Sequence, residues 1–340
     1  MGIPTFSTAT RDFIRAHSHE DVYRLALQAG RYPEVDMRAA VQQIDGRQRM
    51  EQKVPAWAAR EDILYPPHLS VEQCSSEITA RYKAEWIGGR TLVDLTGGLG
   101  VDTAFLSERF EQTTYVEENA ELCSLARHNF ACLQLPIETV HADATAYLRQ
   151  MTPVDAIYID PARRNDDGRK VAALSDCKPD ILSLLPLLRS KASAVLLKLS
   201  PMLDISMAAT ELTPVSAVHV VAVRNECKEI LVALSDPTPP EYPIRCVNLR
   251  GAERQTFAFY PSEERQAACR YADEVLNYLY EPNAAILKAG AFKLLAARFG
   301  LFKLHPNSHL YTSDSPIVDF PGRRFRVTAW GSGHGKHVVS

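Results

Sequence analysis

Between Thr91 and Ser235, short apolar runs alternate five times with segments whose apolar residues are spaced as in an amphipathic helix. The apolar runs read "TLVDL", "TTYVE", "PIETVHAD", "VDAIYID" and "ASAVLLKL". Repeated strand–helix units predict a parallel sheet covered by helices on both faces. Two further runs, "SAVHVVAV" and "EILVALS", are separated only by "RNECK", and so short a connection predicts an antiparallel pair. The sequence therefore predicts an α/β, Rossmann-like fold whose seven-stranded sheet ends in an antiparallel hairpin.

The chain before this alternation has a different pattern. Residues 1–85 carry spaced apolar positions among charges, which predicts a helical N-terminal region. Within it, "YPPHLS" breaks the pattern, and Ser70 is placed to cap a helix through "VEQCSSEITARYKAEWI". The α/β domain then occupies residues 86–236 and ends at the proline-rich stretch "PTPPEYP".

A small α+β region is predicted over residues 237–328. Its paired strands are "IRCVNLR" and "QTFAFY", and "EPNAAILKAGAFKLLAARFG" predicts one helix that ends at Gly300. The remaining residues, 329–340, are rich in glycine, and we expect them to form a flexible tail.

A glycine-rich turn, "TGGLG", follows the first predicted strand. Gly97, Gly98 and Gly100 let the backbone turn sharply and approach a ligand closely, and the helix behind them begins with free N–H groups. A glycine triplet is weak evidence by itself, because tight turns between a strand and a helix also use glycine for packing.

Carboxylates stand at the ends of three successive predicted strands. Asp94 is the last but one residue of the first strand, Glu117 ends the second and Asp143 ends the third. In open α/β sheets, ligands bind along the edge where the carboxyl ends of the strands meet. A carboxylate at Asp94 would repel a pyrophosphate and attract a cationic amino group, which disfavours a dinucleotide. Each acid could instead cap the following helix, but three caps beside the glycine turn are a less consistent explanation.

This pattern resembles that of class I S-adenosylmethionine-dependent methyltransferases. The resemblance implies that S-adenosylmethionine is the cofactor, that Asp94 holds its amino group, and that Gly98 and Gly100 line its methionine moiety. It also implies that Glu117 contacts the ribose and Asp143 the adenine. The other residues that it places at the cofactor are Thr96, which stands where the family usually has its first glycine, Gly97, Leu99, Asp102, which could equally cap its helix, and Ala144.

The fourth strand ends in "IDPARR", at the position of the motif that faces the methyl acceptor in this family. The resemblance places Asp160, Pro161 and Arg163 in the catalytic site. The family's amino-methyltransferases have a second proline and an aromatic residue where this chain has Ala162 and Arg163, so the target atom stays open. Carbon methylation through a cysteine after the fifth strand is disfavoured, because that place holds Ser200.

Basic residues near this motif favour a phosphate-bearing substrate. The predicted substrate-binding residues are Arg163, Arg164 and Lys198, and an arginine pair beside the methyl donor suits the phosphates of RNA. Solvated arginines, or arginines paired with local acids, are the alternative.

Several segments in this order resemble the bacterial THUMP-like class I methyltransferase family: "EQCSSEITARYKA", "DLTGGLGVD", "YVEEN", "DPARR", "LKLSPMLD", "EPNAAILKAG" and "HLYTSDSPIVDFPGRRFRV". The resemblance implies methyl transfer to RNA. Two alternatives remain: methylation of a small molecule or protein, and a non-catalytic RNA-binding module with a relic cofactor site.

Composition limits the remaining classes of function. With 38 Lys and Arg against 41 Asp and Glu, the chain has a net charge of −3, so RNA binding would need a local patch. The seven cysteines are scattered and form no Cys-x-x-Cys pair, which predicts reduced thiols, no metal site and a cytoplasmic protein. No apolar run is long enough for a membrane helix, and no secretory signal is evident. The sequence does not indicate an oligomeric state.

Overall fold

The computed structural model describes residues 6–163 and 174–329, and the chain divides into two compact units, Met1–Lys198 and Leu199–Ser340. The helices are α1 (Thr8–Ala16), α2 (Val22–Ala26), α3 (Met37–Lys53), α4 (Pro55–Ala58), α5 (His68–Gln73), α6 (Glu77–Ala84), α7 (Val101–Ser107), α8 (Ala120–Cys132), α9 (Ala144–Gln150), α10 (Ile181–Lys191), α11 (Ile205–Glu211), α12 (Pro261–Gln266), α13 (Ala284–Ala289) and α14 (Phe292–Phe299). Two short 3-10 helices span Ala29–Arg31 and Leu174–Asp176.

The strands follow the same chain order. They are β1 (Thr91–Asp94), β2 (Gln112–Glu117), β3 (Ile137–His141), β4 (Val154–Ile159), β5 (Ala162–Arg163), β6 (Cys177–Lys178), β7 (Ala192–Leu199), β8 (Ala217–Val223), β9 (Glu226–Ser235), β10 (Ile244–Arg250), β11 (Glu253–Phe259), β12 (Arg270–Tyr271), β13 (Tyr278–Pro282), β14 (Phe302–Lys303), β15 (Tyr311–Ser313) and β16 (Gly322–Arg326).

The first unit contains a parallel sheet in the order β7-β4-β1-β2-β3, as the strand–helix alternation predicts. Its central strands are apolar and buried because helices cover both faces of such a sheet. The carboxyl ends of β1, β2 and β4 therefore meet at one edge, where the glycine turn and the predicted acids lie.

The helical N-terminal region differs from prediction at one point. Ser70 lies inside α5, so its expected role as a helix cap is wrong, and the single predicted helix is divided into α5 and α6. The chain leaves α5 at Cys74 in an extended conformation. This break lets the Ser75 hydroxyl donate a hydrogen bond to Asp102 Oδ2 at 2.7 Å, a contact that a continuous helix pattern does not reveal.

The second unit contains the predicted hairpin, which follows α11. Strands β8 and β9 are antiparallel, and the two residues between them, Arg224 and Asn225, have φ of 51° and 65°. Two positive φ values in a two-residue turn match the twist of the strands that it joins. Strands β10 and β11 pair with each other as predicted, but β10 also pairs in parallel with β8, giving the order β11-β10-β8-β9.

A five-stranded sheet, in the order β12-β14-β15-β13-β16, completes the second unit. The long helix predicted next to it is wrong in one respect, because the chain forms α13 and α14 instead. Gly290 ends α13 in the left-handed conformation, at φ 78°, which glycine adopts without steric cost. Gly300 ends α14 as predicted.

Candidate active site at the carboxyl edge of the parallel sheet

Two glycines of the turn are packed so closely that they cannot carry a side chain. A Cβ on Gly97 would lie 2.1 Å from Cε2 of Tyr115, and one on Gly100 would lie 2.6 Å from Cζ of Phe130. Gly98 and Gly100 also have positive φ, 55° and 86°. The packing role of Gly97 and Gly100 is therefore established by the geometry, whereas a Cβ on Gly98 would have no atom closer than 3.9 Å, and its positive φ is what favours glycine there.

Glu117 holds the turn from the end of β2. Its Oε2 accepts a hydrogen bond from the Gly98 backbone N–H at 2.8 Å, and its Oε1 accepts one from the Asn119 N–H at 2.8 Å. The hydroxyl of Tyr115 donates to the Gly98 carbonyl oxygen at 2.5 Å. Both oxygens of Glu117 keep further lone pairs, so this carboxylate is positioned to accept hydrogen bonds from ligand hydroxyls.

Asp94 is almost completely buried at the end of β1, with 1% of its surface exposed. Its Oδ1 accepts from the Thr96 N–H at 3.0 Å, and its Oδ2 accepts from the Thr103 hydroxyl. Burial raises the pKa of Asp94 to about 7, although these hydrogen bonds act in the opposite direction. A cationic group brought beside it would favour the ionised form.

Thr96 stands where the family usually has its first glycine, and its side chain has a structural role there. Its hydroxyl oxygen accepts a hydrogen bond from the backbone N–H of Asp160 at 2.6 Å. The first residue of the glycine turn thus fastens the end of β4, which carries Asp160. A glycine at this position would leave that N–H without its side-chain acceptor.

Asp143 and Leu99 have local roles. Asp143 is exposed and caps α9, because its Oδ1 accepts from the Ala146 N–H at 2.8 Å, and Ala144 is the first residue of that helix. Leu99 is buried in the apolar cluster that includes Phe105. The contacts of Asp143 with an adenine and of Leu99 with a methionine moiety stay predictions.

Asp102 lies in a polar interior rather than on a helix surface. Its Oδ2 accepts hydrogen bonds from the hydroxyls of Ser75 and Tyr158, both at 2.7 Å, and its Oδ1 lies 3.1 Å from the Lys83 ammonium. Burial by itself raises the pKa of Asp102, but Lys83 and Lys198 outweigh it and lower the pKa below that of an ordinary aspartate. Oδ2 of Asp102 is therefore hydrogen-bonded to two hydroxyls, whereas its buried Oδ1 pairs with the Lys83 ammonium by charge and accepts no hydrogen bond from the described residues.

Lys198 connects this interior to the predicted acceptor side. Its ammonium donates to Asp160 Oδ2 at 2.5 Å and to the Ser75 hydroxyl at 3.2 Å. The Asp160 side chain is 35% exposed, so it is the member of this group that faces outward. Pro161 after it is buried.

The arginines of the motif are described only in part. Arg163 lies in β5 and pairs with Cys177, but its side chain is not described, and Arg164 lies outside the described residues. At the end of β6, the Lys178 ammonium forms an exposed ion pair with Glu118 at 2.9 Å. The predicted phosphate contacts of the two arginines therefore stay predictions.

Sequence reasoning misses two members of the site, Lys83 and Tyr158. Lys83 has no exposed surface and lies on the buried face of α6 beside Thr79 and Ala80, where a lysine is unusual. That position, on a helix face otherwise made of small residues, is the signal in the sequence. Tyr158 precedes Asp160 by two residues in an apolar strand, and nothing in its neighbourhood distinguishes it from a core tyrosine.

The donor set of this edge fits S-adenosylmethionine. Its sulfonium and ammonium groups are cationic, and Asp94, Glu117 and Asp160 supply carboxylates along one edge beside an open glycine turn. Among the described residues, no three His, Cys, Asp or Glu side chains come together as a metal site would require. In the same portion of the chain, no helix is long and apolar enough to cross a membrane.

Known proteins resemble both parts of the chain. The crystal structure of a "putative methyltransferase" from Porphyromonas gingivalis W83 superposes with a TM-score of 0.84 at 39% identity, covering 94% of this chain and 81% of that one. Two "uncharacterized S-adenosylmethionine-dependent methyltransferases" from strains of Mycobacterium tuberculosis are 25% identical over 245 residues, or 72% of this chain. The alignment spans 64% of those relatives, less than two thirds of their length. Residues 278–321 match the model of a ferredoxin-like domain family.

Proposed function

Because the chain belongs to the class I S-adenosylmethionine-dependent methyltransferase family, we propose that it transfers the methyl group of S-adenosylmethionine to RNA, at a nitrogen atom. The observation that carries the proposal is the geometry at one sheet edge. Asp94 and Glu117 hold the glycine turn, and the Thr96 hydroxyl joins that turn directly to the backbone of Asp160. A hydrogen bond thus connects the turn that would bind the methyl donor to Asp160, the residue that would face the methyl acceptor.

In this proposal the bound cofactor supplies an activated methyl group whose leaving group is a neutral thioether. The protein's task is then mainly alignment. Asp94 pairs with the amino group, Glu117 accepts from the ribose hydroxyls and Asp143 lies where the adenine would end. Asp160 accepts a hydrogen bond from the acceptor nitrogen, so that the nitrogen lone pair points at the methyl carbon.

RNA as the acceptor rests on charge and motif rather than on a contact seen in the structure. Arg163, Arg164, Arg169 and Lys170 follow Asp160 in the sequence, against Asp166 and Asp167, and arginines suit phosphate groups. The ferredoxin-like match supports an accessory domain, and its THUMP-like character is part of the proposal. A cytoplasmic location is also proposed, and all seven cysteines are free thiols, in keeping with it.

We also propose the functional division of the chain that the sequence indicates. Residues 1–85 form a helical region, residues 86–236 bind the methyl donor, and residues 237–328 form the accessory region. Most of the tail at 329–340 lies outside the described residues.

Methyl incorporation tests this function. Purified protein is incubated with tritiated S-adenosylmethionine and total RNA from a strain that lacks the gene, and the labelled nucleoside is identified by mass spectrometry. We expect incorporation that is absent with Asp160→Ala and with RNA from a strain that retains the gene. If the intact protein labels no RNA but labels a protein or small-molecule fraction of the same extract, the assignment of RNA is wrong.

A further inference from the structure

Four charged side chains form a continuous line from the interior of the first unit to the proposed acceptor site. We name Lys83, Asp102, Lys198 and Asp160 the lysine–aspartate cluster. The Lys83 ammonium lies 3.1 Å from Asp102 Oδ1, and the Lys198 ammonium lies 3.9 Å from Asp102 Oδ2 and 2.5 Å from Asp160 Oδ2. The two positive and two negative charges balance.

This cluster is buried much more deeply than an ordinary ion pair. The side chain of Lys83 is completely buried, that of Asp102 is 10% exposed and that of Lys198 is 14% exposed. The Ser75 hydroxyl accepts a hydrogen bond from each ammonium at 3.2 Å while it donates to Asp102. A buried ion pair of this kind is often no more stabilising than apolar residues of similar size. Stability alone therefore does not account for four charges in a line.

Asp160, with 35% of its side chain exposed, is the most exposed member of the cluster. Lys198 holds Oδ2 of Asp160, and the Asp160 backbone N–H is held by Thr96. Among the described residues, Lys198 donates to Asp160 at Oδ2, which leaves Oδ1 as the oxygen that can accept a hydrogen bond from a substrate. With its other oxygen and its backbone fixed, the carboxylate presents this oxygen in a defined direction.

We infer that Lys198 is a positioning residue of the methyl-acceptor site, and that Lys83 and Asp102 hold Lys198 in place. The inference rests on the proposed methyl transfer to nitrogen and gives a structural reason for the alignment of that atom: the Asp160 oxygen that Lys198 does not hold accepts a hydrogen bond from the N–H group of the nucleophile. A carboxylate oxygen fixed in this way accepts a hydrogen bond, so it selects a donor. A nucleophilic carbon or a nitrogen without hydrogen gains nothing from it.

Methyl transfer to the nitrogen forms one bond, breaks one bond and releases one proton. The nitrogen lone pair forms the new N–CH₃ bond as the S–CH₃ bond breaks, and the electrons of that bond remain on sulfur, which becomes the neutral thioether of S-adenosylhomocysteine. The nitrogen gains positive charge and gives its proton to Oδ1 of Asp160, from which it passes to water. The Lys198 ammonium keeps its proton throughout.

Kinetics of Lys198 variants test the inference. We expect Lys198→Met to lower kcat for methyl transfer at least tenfold, with less than a threefold change in the dissociation constant for S-adenosylhomocysteine. Lys198→Arg, which keeps the cation, is expected to recover most of kcat. Lys228→Met is the control, because Lys228 forms an exposed ion pair with Glu226 outside the cluster. Unchanged kcat in Lys198→Met overturns the inference.

A second measurement needs no substrate. The ammonium resonance of Lys198 is recorded by nitrogen-15 NMR in the intact protein and in the Asp160→Ala and Asp102→Asn variants. We expect its shift and hydrogen exchange to change in both variants, and the same resonance in both would overturn the inference. If the intact protein methylates no RNA while the ammonium resonance responds as expected, the proposed substrate is wrong and the positioning role stands.

Discussion

Replacing Asp94 by asparagine is expected to remove a large pH dependence of stability that the wild-type protein carries. Asp94 is almost fully buried, and its pKa is raised from 3.8 to about 7, chiefly by that burial. Asparagine has nearly the same shape and keeps an acceptor oxygen for the Thr96 N–H. Its amide does not ionise, so the variant isolates the cost of the buried charge.

The sign and size follow from the two pKa values. Between pH 3.8 and about 7 the folded protein holds a proton on Asp94 that the unfolded chain has lost. Stability from this group is therefore fully present at low pH, falls as the pH rises through this window and is constant above it. A rise of about 3 in pKa corresponds to about 4 kcal/mol, of which about 3 kcal/mol lies between pH 5 and pH 8.

Urea unfolding followed by circular dichroism measures this difference. We expect the free energy of unfolding of Asp94→Asn, relative to wild type, to increase by about 3 kcal/mol between pH 5 and pH 8. Asp155→Asn is the control, because hydrogen bonds from the Thr91 and Arg90 N–H groups lower the pKa of this partly buried carboxyl from 3.8, so its titration lies below pH 5.

The comparison between the two pH values decides the outcome. If the difference between Asp94→Asn and wild type is the same at pH 5 and pH 8, Asp94 is ionised throughout, and burial does not dominate its titration.

Three further predictions concern the same edge of the sheet. Because an ammonium group favours ionised Asp94, the affinity for S-adenosylhomocysteine should fall up to about tenfold per pH unit below pH 7 in wild type and much less in Asp94→Asn, as calorimetry would show. Gly97→Ala should destabilise the fold by about 1–3 kcal/mol in thermal unfolding, because its Cβ would overlap Tyr115, whereas Gly30→Ala, with open space around it, should not. Thr96→Val should lower the free energy of unfolding by about 1–3 kcal/mol, because the Asp160 N–H loses its acceptor. Thr96→Ser, which keeps the hydroxyl, should retain most of the wild-type stability. Equal losses of stability in the two Thr96 variants would contradict this prediction.

The parallel strands are predictable from the sequence because each is a local apolar run between turn residues. Predicted "TLVDL" corresponds to β1 at Thr91–Asp94, and predicted "VDAIYID" to β4 at Val154–Ile159. The breaks at Cys74 and Gly290 are less visible, because the apolar spacing continues across each of them. The parallel pairing of β10 with β8 joins distant segments, and no local pattern encodes it.

The candidate site divides in the same way. The glycine turn and the acids at the carboxyl ends of β1, β2 and β4 are recognisable, since residue type and position in the strand–helix unit together define them. The lysine–aspartate cluster joins α6, α7, β4 and β7, whose residues lie far apart in sequence. From the sequence alone, Lys83 is only a lysine on a predicted buried helix face, and Asp102 is only a helix-capping or ligand-binding acid. Their ion pair becomes visible only in the structure.

The central claim is that the turn held by Glu117 binds the methyl donor. Calorimetric titration of the intact protein with S-adenosylhomocysteine tests it most directly, beside Glu117→Ala and the control Glu121→Ala, an exposed acid in the first turn of α8. The account predicts one binding site per chain, affinity reduced at least tenfold in Glu117→Ala and affinity unchanged in Glu121→Ala. No binding by the intact protein, or equal affinity in the Glu117 variant, would contradict it.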